Sequence, residues 1–207
     1  MFLDYCSKQG CVVERGEIPD TTQGARTDLE EISKKILGDR TNVLQIAEEY
    51  PSHFIRYHRG IERLCSIARR DIVREWKTTV YVIYGDPGTG KSRWCNAMAR
   101  ELGGPIYYKP RGNWWDGYFG QKCIIIDDFY GWIKYDELLK ISDRYPYQVP
   151  IKGSYEQFLA EHLFITSNTH YDNWYKFDNY DSKAFERRID FIKEINDKID
   201  FNKFLVY

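Results

Sequence analysis

Residues Gly85-Asp86-Pro87-Gly88-Thr89-Gly90-Lys91-Ser92 have the residue types and spacing of a phosphate-binding loop. Glycines let backbone amides close around an anion, and a helix beginning at the loop adds its partial positive charge. Lys91 supplies a cation for the β- and γ-phosphates of a nucleotide, and the Ser92 hydroxyl supplies an oxygen for Mg²⁺. A plain glycine-rich turn leaves Lys91-Ser92 unexplained. Further along, Cys123-Ile124-Ile125-Ile126-Asp127-Asp128 is an apolar run ending in two adjacent acids. Adjacent strand residues point to opposite faces, so the two carboxylates are given different tasks. Asp127 is assigned to the metal, through water, and Asp128 to polarising an attacking water.

Three further groups carry chemistry by their order along the chain. Leu163-Phe164-Ile165-Thr166-Ser167-Asn168 delivers an amide from a second apolar run. Asn168 can orient a lytic water or touch the γ-phosphate, since an amide both donates and accepts; otherwise it caps a turn. Ala184-Phe185-Glu186-Arg187-Arg188-Ile189 offers an arginine pair, either surface ion-pairing groups or the cation that stabilises a phosphoryl group in flight. Val149-Pro150-Ile151 followed by Lys152-Gly153 predicts a hairpin with one lysine at its tip, suited to phosphate contact without sequence readout. Lys109 opens a stretch to Tyr118 that interleaves basic and aromatic residues, readable as a stacking surface for single-stranded bases or as two tryptophans packed on a sheet.

These residues need a scaffold. Thr79–Tyr84, Pro105–Tyr108, Lys122–Asp127 and His162–Thr166 are continuous rather than alternating apolar runs, as in parallel strands covered on both faces. The fold class expected is therefore α/β, a parallel-sheet core behind a phosphate loop. Residues 27–78 are read as helical. Thr27-Asp28-Leu29-Glu30 matches a capping box, with Leu29, Ile32, Ile36 and Leu37 at helical spacing after it. A second helix is predicted near Val43–Glu49 and a third from Ser52 to Arg70, its apolar face made of Ile55, Ile61, Leu64 and Ile67. Arg56, Arg59, Arg63, Arg69, Arg70 and Arg74 make that stretch basic, which fits a solvated face or contact with nucleic acid or a neighbouring subunit. Residues 1–26 are polar and rich in turn residues.

Composition narrows the classes. The chain has 207 residues, 43% hydrophobic and 16% aromatic, enough for one sizeable domain with a small appendage. The net charge of −1 means that nucleic-acid contact must come from local patches. Five scattered cysteines and four unclustered histidines argue against a disulfide framework or a zinc site and for a reducing intracellular compartment. No apolar run approaches the roughly 20 residues of a membrane span, so no membrane partner is expected.

The ordered set resembles a superfamily 3 helicase: the loop, the Asp127-Asp128 strand, the Lys152 hairpin, Thr166-Ser167-Asn168, then arginine. More narrowly, Trp114-Trp115-Asp116-Gly117-Tyr118, Ile126-Asp127-Asp128-Phe129-Tyr130-Gly131-Trp132, Asp143-Arg144-Tyr145-Pro146 and Ile165-Thr166-Ser167-Asn168 resemble the replication-initiator (Rep) proteins of circoviruses and related small single-stranded DNA viruses. The resemblance implies an AAA+-like phosphate-loop NTPase domain over 79–207, a small helical oligomerisation domain over 27–78, and the end of a nicking domain with its linker over 1–26. It implies ATP and Mg²⁺ as ligands and a hexameric ring on single-stranded DNA in the host nucleus. Lys152 and Lys109 would contact DNA, and Arg188, rather than Arg187, would reach a neighbour's ATP site because it directly precedes an apolar strand. Tyr5-Cys6-Ser7-Lys8 resembles the last nicking motif, but its two companion motifs are missing upstream, so Tyr5 and Lys8 are expected to be vestigial. The alternatives are a nucleotide-binding oligomerisation scaffold, an RNA helicase with little processive DNA unwinding, and a small-molecule kinase.

Overall fold

A computed structural model describes residues 27–177 and 180–199. Three helices come first: α1 (Thr27–Gly38), α2 (Val43–Glu49) and α3 (Pro51–Arg69). Then follow β1 (Thr79–Tyr84), α4 (Lys91–Glu101), β2 (Ile106–Tyr108), β3 (Cys123–Ile126), α5 (Tyr135–Ile141), β4 (Gln148–Ile151), β5 (Ser154–Gln157), β6 (His162–Ser167), α6 (Lys183–Glu186) and β7 (Ile189–Glu194).

Five strands form one sheet in the order β2-β3-β6-β1-β7, every neighbouring pair parallel. The continuous apolar runs do what their pattern demands. Val80, Val82, Ile124 and Ile126 face one core together with Trp115 and Phe158, while Ile83, Cys123 and Ile125 face the other against Trp94 and Cys95 of α4. Burying a side chain such as Ile126 in this way contributes about 1.5–3 kcal/mol. Parallel strands share one C-terminal edge, so Gly85 after β1, Asp127 after β3 and Asn168 after β6 are delivered to the same rim.

The fifth strand, β7, is not among the four that apolar runs mark; only the resemblance puts a strand after Arg188. All but its first residue are exposed, and only Ile189, Phe191 and Ile192 are apolar, so this edge strand has no buried run to betray it. Its end locks onto the phosphate loop. Ile195 donates its backbone N–H to Tyr84 O at 2.8 Å, and a Cβ on Gly85 (φ +133°) would lie 2.2 Å from Ile195 O. Only glycine fits there.

The three N-terminal helices share a small core of Ile32, Ile36, Val43, Ile46, Ile61, Cys65 and Ala68. The capping box described here belongs to α2, between Asn42 and Gln45, with reciprocal bonds of 3.0 and 3.1 Å. Helix α3 departs from the expected apolar face. Tyr57 (φ −123°, ψ 16°) departs from helical geometry, and the core side is taken by Phe54, seven residues before Ile61 and on its face, while Ile55 is 79% exposed. Ile67 is exposed as well. Of the six arginines, Arg56, Arg59 and Arg70 are solvated. Arg74 is buried on Tyr145 O, Lys140 O, Ile141 O and Thr78 Oγ1.

Strands β4 and β5 form the predicted hairpin, Ile151 pairing Ser154 around the two-residue turn Lys152-Gly153, with Gly153 at φ +80°. Helix α3 grips it: Arg63 Nη1 donates to Ser154 Oγ at 2.8 Å, and Arg69 Nε to Glu156 Oε1 at 2.8 Å, a pair whose side chains are 11% and 2% exposed.

Candidate active site

The loop between β1 and α4 is glycine-shaped throughout, with Gly88 and Gly90 also in the left-handed region. Helix α4 starts at Lys91, so its unpaired first-turn amides front the loop. Lys91 is buried, and its Nζ donates to Gly85 O at 2.9 Å and Asp86 O at 2.6 Å. Burial lowers its pKa, and the carboxylate of Asp128, then Asp86 and Asp127, act against that shift. Thr89 Oγ1 closes the turn onto Asp86 O at 2.9 Å.

The acid pair stands directly opposite. Ser92 Oγ donates to Asp127 Oδ1 at 2.6 Å, and the Thr166 hydroxyl donates to the same oxygen at 2.5 Å. Asp128 follows in the left-handed region at φ +48°, a conformation that few residues other than glycine, asparagine and aspartate adopt. Asn168 donates from Nδ2 to the Tyr130 hydroxyl at 2.6 Å. Two hard oxygens in contact at the mouth of an anion cradle are the donor set that Mg²⁺ takes alongside phosphate oxygens, so Ser92 and Asp127 fit that ion. Asp128 and Asn168 stay exposed on the same rim, free to meet water.

The remaining candidates divide. Arg188 precedes β7, whose six residues run parallel to β1 toward the loop. The arginine therefore stands about 20 Å from its own chain's loop edge, at a rise of about 3.3 Å per residue. Its guanidinium is held by Asp143 Oδ2 at 2.7 and 3.2 Å and by Ala184 O at 2.5 Å. Arg187 is exposed and makes no salt bridge among the described residues. Lys152 is 75% exposed at the hairpin tip, where Asp116 accepts its backbone N–H at 2.9 Å and its ammonium at 3.3 Å. That backbone bond is the main cause holding the Asp116 carboxyl below its usual range.

Lys109 does not face a nucleic acid. It is 6% exposed, its ammonium donates to Pro110 O, Gly112 O and Trp114 O, and it lies 5.0 and 5.3 Å from the Trp115 and Trp132 ring centres. Burial lowers its pKa to about 8. Basic-aromatic interleaving here builds a loop clamp rather than a stacking surface: Trp115 is fully buried, while Trp114 is 49% exposed. Replacing Lys109 with methionine leaves three carbonyls without their donor and is expected to cost about 1–3 kcal/mol, read as a lowered Tm with nucleotide binding retained. Tyr5 and Lys8 lie outside the described residues.

Comparison with known proteins decides the family. The replication-associated protein of Human associated cyclovirus 1 is 48% identical over 190 residues, covering 90% of this chain and 67% of that relative. The chain belongs to the replication-associated protein (Rep) family. The Rep of Goose circovirus is 43% identical over 187 residues and that of Beak and feather disease virus 41% over 184, each with 61% of its own length covered. This Rep chain thus spans about two thirds of the length of these relatives. The family described as RNA helicase matches residues 81–169, an interval that holds Lys91, Asp127, Asp128, Lys152 and Asn168. The parallel sheet is accordingly that of a superfamily 3 helicase domain, and this family implies use of nucleotide and metal. Among the described residues no helix is long and apolar enough to cross a membrane. Two partners of the candidate residues have no role in the sequence reading: Tyr130, which holds Asn168, and Thr166, which holds Asp127. The available signal for the second is a hydroxyl directly after the apolar run Leu163-Phe164-Ile165.

Proposed function

We propose that this chain is the motor of a rolling-circle replication initiator, an ATP-dependent DNA helicase and translocase that works as a homo-oligomeric, hexameric ring on single-stranded DNA in the host nucleus. The observation that carries this reading is the Ser92–Asp127 contact beside Lys91, which brings loop and acid strand to one point. In this reading residues 79–207 are the ATPase, 27–78 the oligomerisation domain and 1–26 the end of a nicking domain with its linker.

Each side chain then has a task. The loop amides and Lys91 hold the triphosphate, the ammonium leaving its two loop carbonyls for the β- and γ-phosphates. Ser92 and Asp127 hold Mg²⁺, which when bound neutralises charge on the phosphate oxygens. Asp128 draws a proton from the attacking water and Asn168 orients that water. The opposite edge occupied by Arg188 supports action in trans: only a neighbouring subunit's loop can meet it. Lys152 projects toward the ring's channel and tracks the DNA backbone, giving grip without sequence preference.

The test is ATP hydrolysis with and without single-stranded DNA, at low salt and high protein concentration. Stimulation by DNA is expected; hydrolysis indifferent to DNA but stimulated by RNA moves the substrate to RNA. Nucleotide binding and a change of particle size without phosphate release point to a scaffold. Lys152→Ala should leave DNA-independent hydrolysis unchanged and weaken DNA binding, flattening its salt dependence by about one unit of slope per lysine engaged. Equal loss of both activities makes the lysine structural.

A further inference from the structure

One fully buried hydroxyl at this site has no task in the scheme above. Thr166 lies near the end of β6, one residue past Ile165, which pairs Ile126 in the ladder with β3. Beyond Ile126 this residue makes three bonds to the chain after β3: Thr166 Oγ1 donates to Asp127 Oδ1 at 2.5 Å and accepts from Asp128 N at 3.0 Å, and Thr166 O accepts from Phe129 N at 2.8 Å. The hydroxyl uses a donor and an acceptor at once, which neither an apolar nor a purely accepting side chain can do.

We propose that Thr166 is the positioning residue of the acid pair, holding the Asp127 carboxylate against Ser92 and pinning the left-handed turn that keeps Asp128 on the Lys91 side of the sheet edge. Successive residues of a regular strand diverge to opposite faces, so two adjacent acids serve one site only if the strand is broken between them. The break is the φ of +48° at Asp128, held by the Thr166 hydroxyl on one side and by Trp132 Nε1 on Asp128 O at 3.3 Å on the other. The electrostatic reach of both carboxylates to Lys91 agrees with this arrangement. Thr166 also sits two residues before Asn168 on the same strand end, so one side chain ties the acids of β3 to the amide of β6.

This inference rests on the ATPase reading, and its test separates the two. The readout is binding of a fluorescent ATP analogue to the full chain, titrated with Mg²⁺ and repeated in EDTA, alongside Mg²⁺-dependent hydrolysis and thermal melting. Thr166→Val keeps the shape and removes the hydroxyl. It should weaken the Mg²⁺ dependence of binding and lower hydrolysis by about 10–100-fold, the usual loss when the group orienting a metal ligand is removed. Binding in EDTA should be unchanged, and Thr166→Ser should restore both readouts. If the valine variant does not fold, Thr166→Ala against Thr166→Ser makes the same comparison. Hydrolysis lost in Lys91→Ala but untouched in Thr166→Val overturns this role alone, and so does a serine variant as impaired as valine. A wild-type chain with no Lys91-dependent hydrolysis overturns the ATPase reading and this role with it.

Discussion

Arg188→Ala is expected to lower ATP turnover by about 10³–10⁵-fold while leaving nucleotide binding in place, the range seen when a phosphoryl-stabilising arginine is withdrawn. Asp143 and the Ala184 carbonyl fix the guanidinium at the entry of β7, on the rim opposite its own phosphate loop. The measurement is steady-state phosphate release beside equilibrium binding of an ATP analogue, with melting to show that Asp143 tolerates the loss. Mixing supplies the decisive control. Arg188→Ala chains retain the loop and Lys91→Ala chains retain the arginine, so random assembly into a ring completes about a quarter of the interfaces in an equimolar mixture. Recovered turnover establishes action in trans; none, with both variants folded and assembled, removes Arg188 from the reaction.

Lys91→Ala should reduce turnover by about 10²–10³-fold or more, because it removes a preorganised charge from the point where negative charge accumulates. Unlike the arginine, it should also weaken binding, since the same ammonium meets the phosphates in the ground state. Its present hydrogen bonds to Gly85 O and Asp86 O show that the side chain is already folded back over the loop. Phosphate contact thus needs a short swing and no repacking. Binding and hydrolysis measured on the same sample check this; full hydrolysis by the alanine variant would separate the loop from the chemistry.

What could be read in the sequence follows from burial. Strands β1, β3 and β6 are wrapped on both faces, so Ile124-Ile125-Ile126 and Leu163-Phe164-Ile165 advertise themselves, and parallel pairing then carries their polar ends to one rim. Strand β7 lies at the sheet edge with its side chains in solvent, and nothing in its composition forces the assignment. Ile55 misled because it lies six residues before Ile61, off the face that Phe54, Tyr57, Ile61 and Cys65 share at helical spacing. Lys109 misled for a different reason. A lysine among tryptophans looks the same in sequence whether it is offered to a ligand or sealed beneath the rings, and here three carbonyls seal it. Thr166 stands in a legible motif, but the role proposed for it depends on a neighbour 39 positions away.

Strand β7 begins one residue after Arg188 and ends where Ile195 is bonded to Tyr84 and pressed against Gly85. If Arg188 serves a neighbour's site as proposed, each protomer carries a pushrod between two reaction centres, its own and its neighbour's. A loop that shifts when its triphosphate is spent must move the far tip of that rod. If the subunits close into a ring, the cylinders of this engine fire in an order that its linkage passes on, rather than at random.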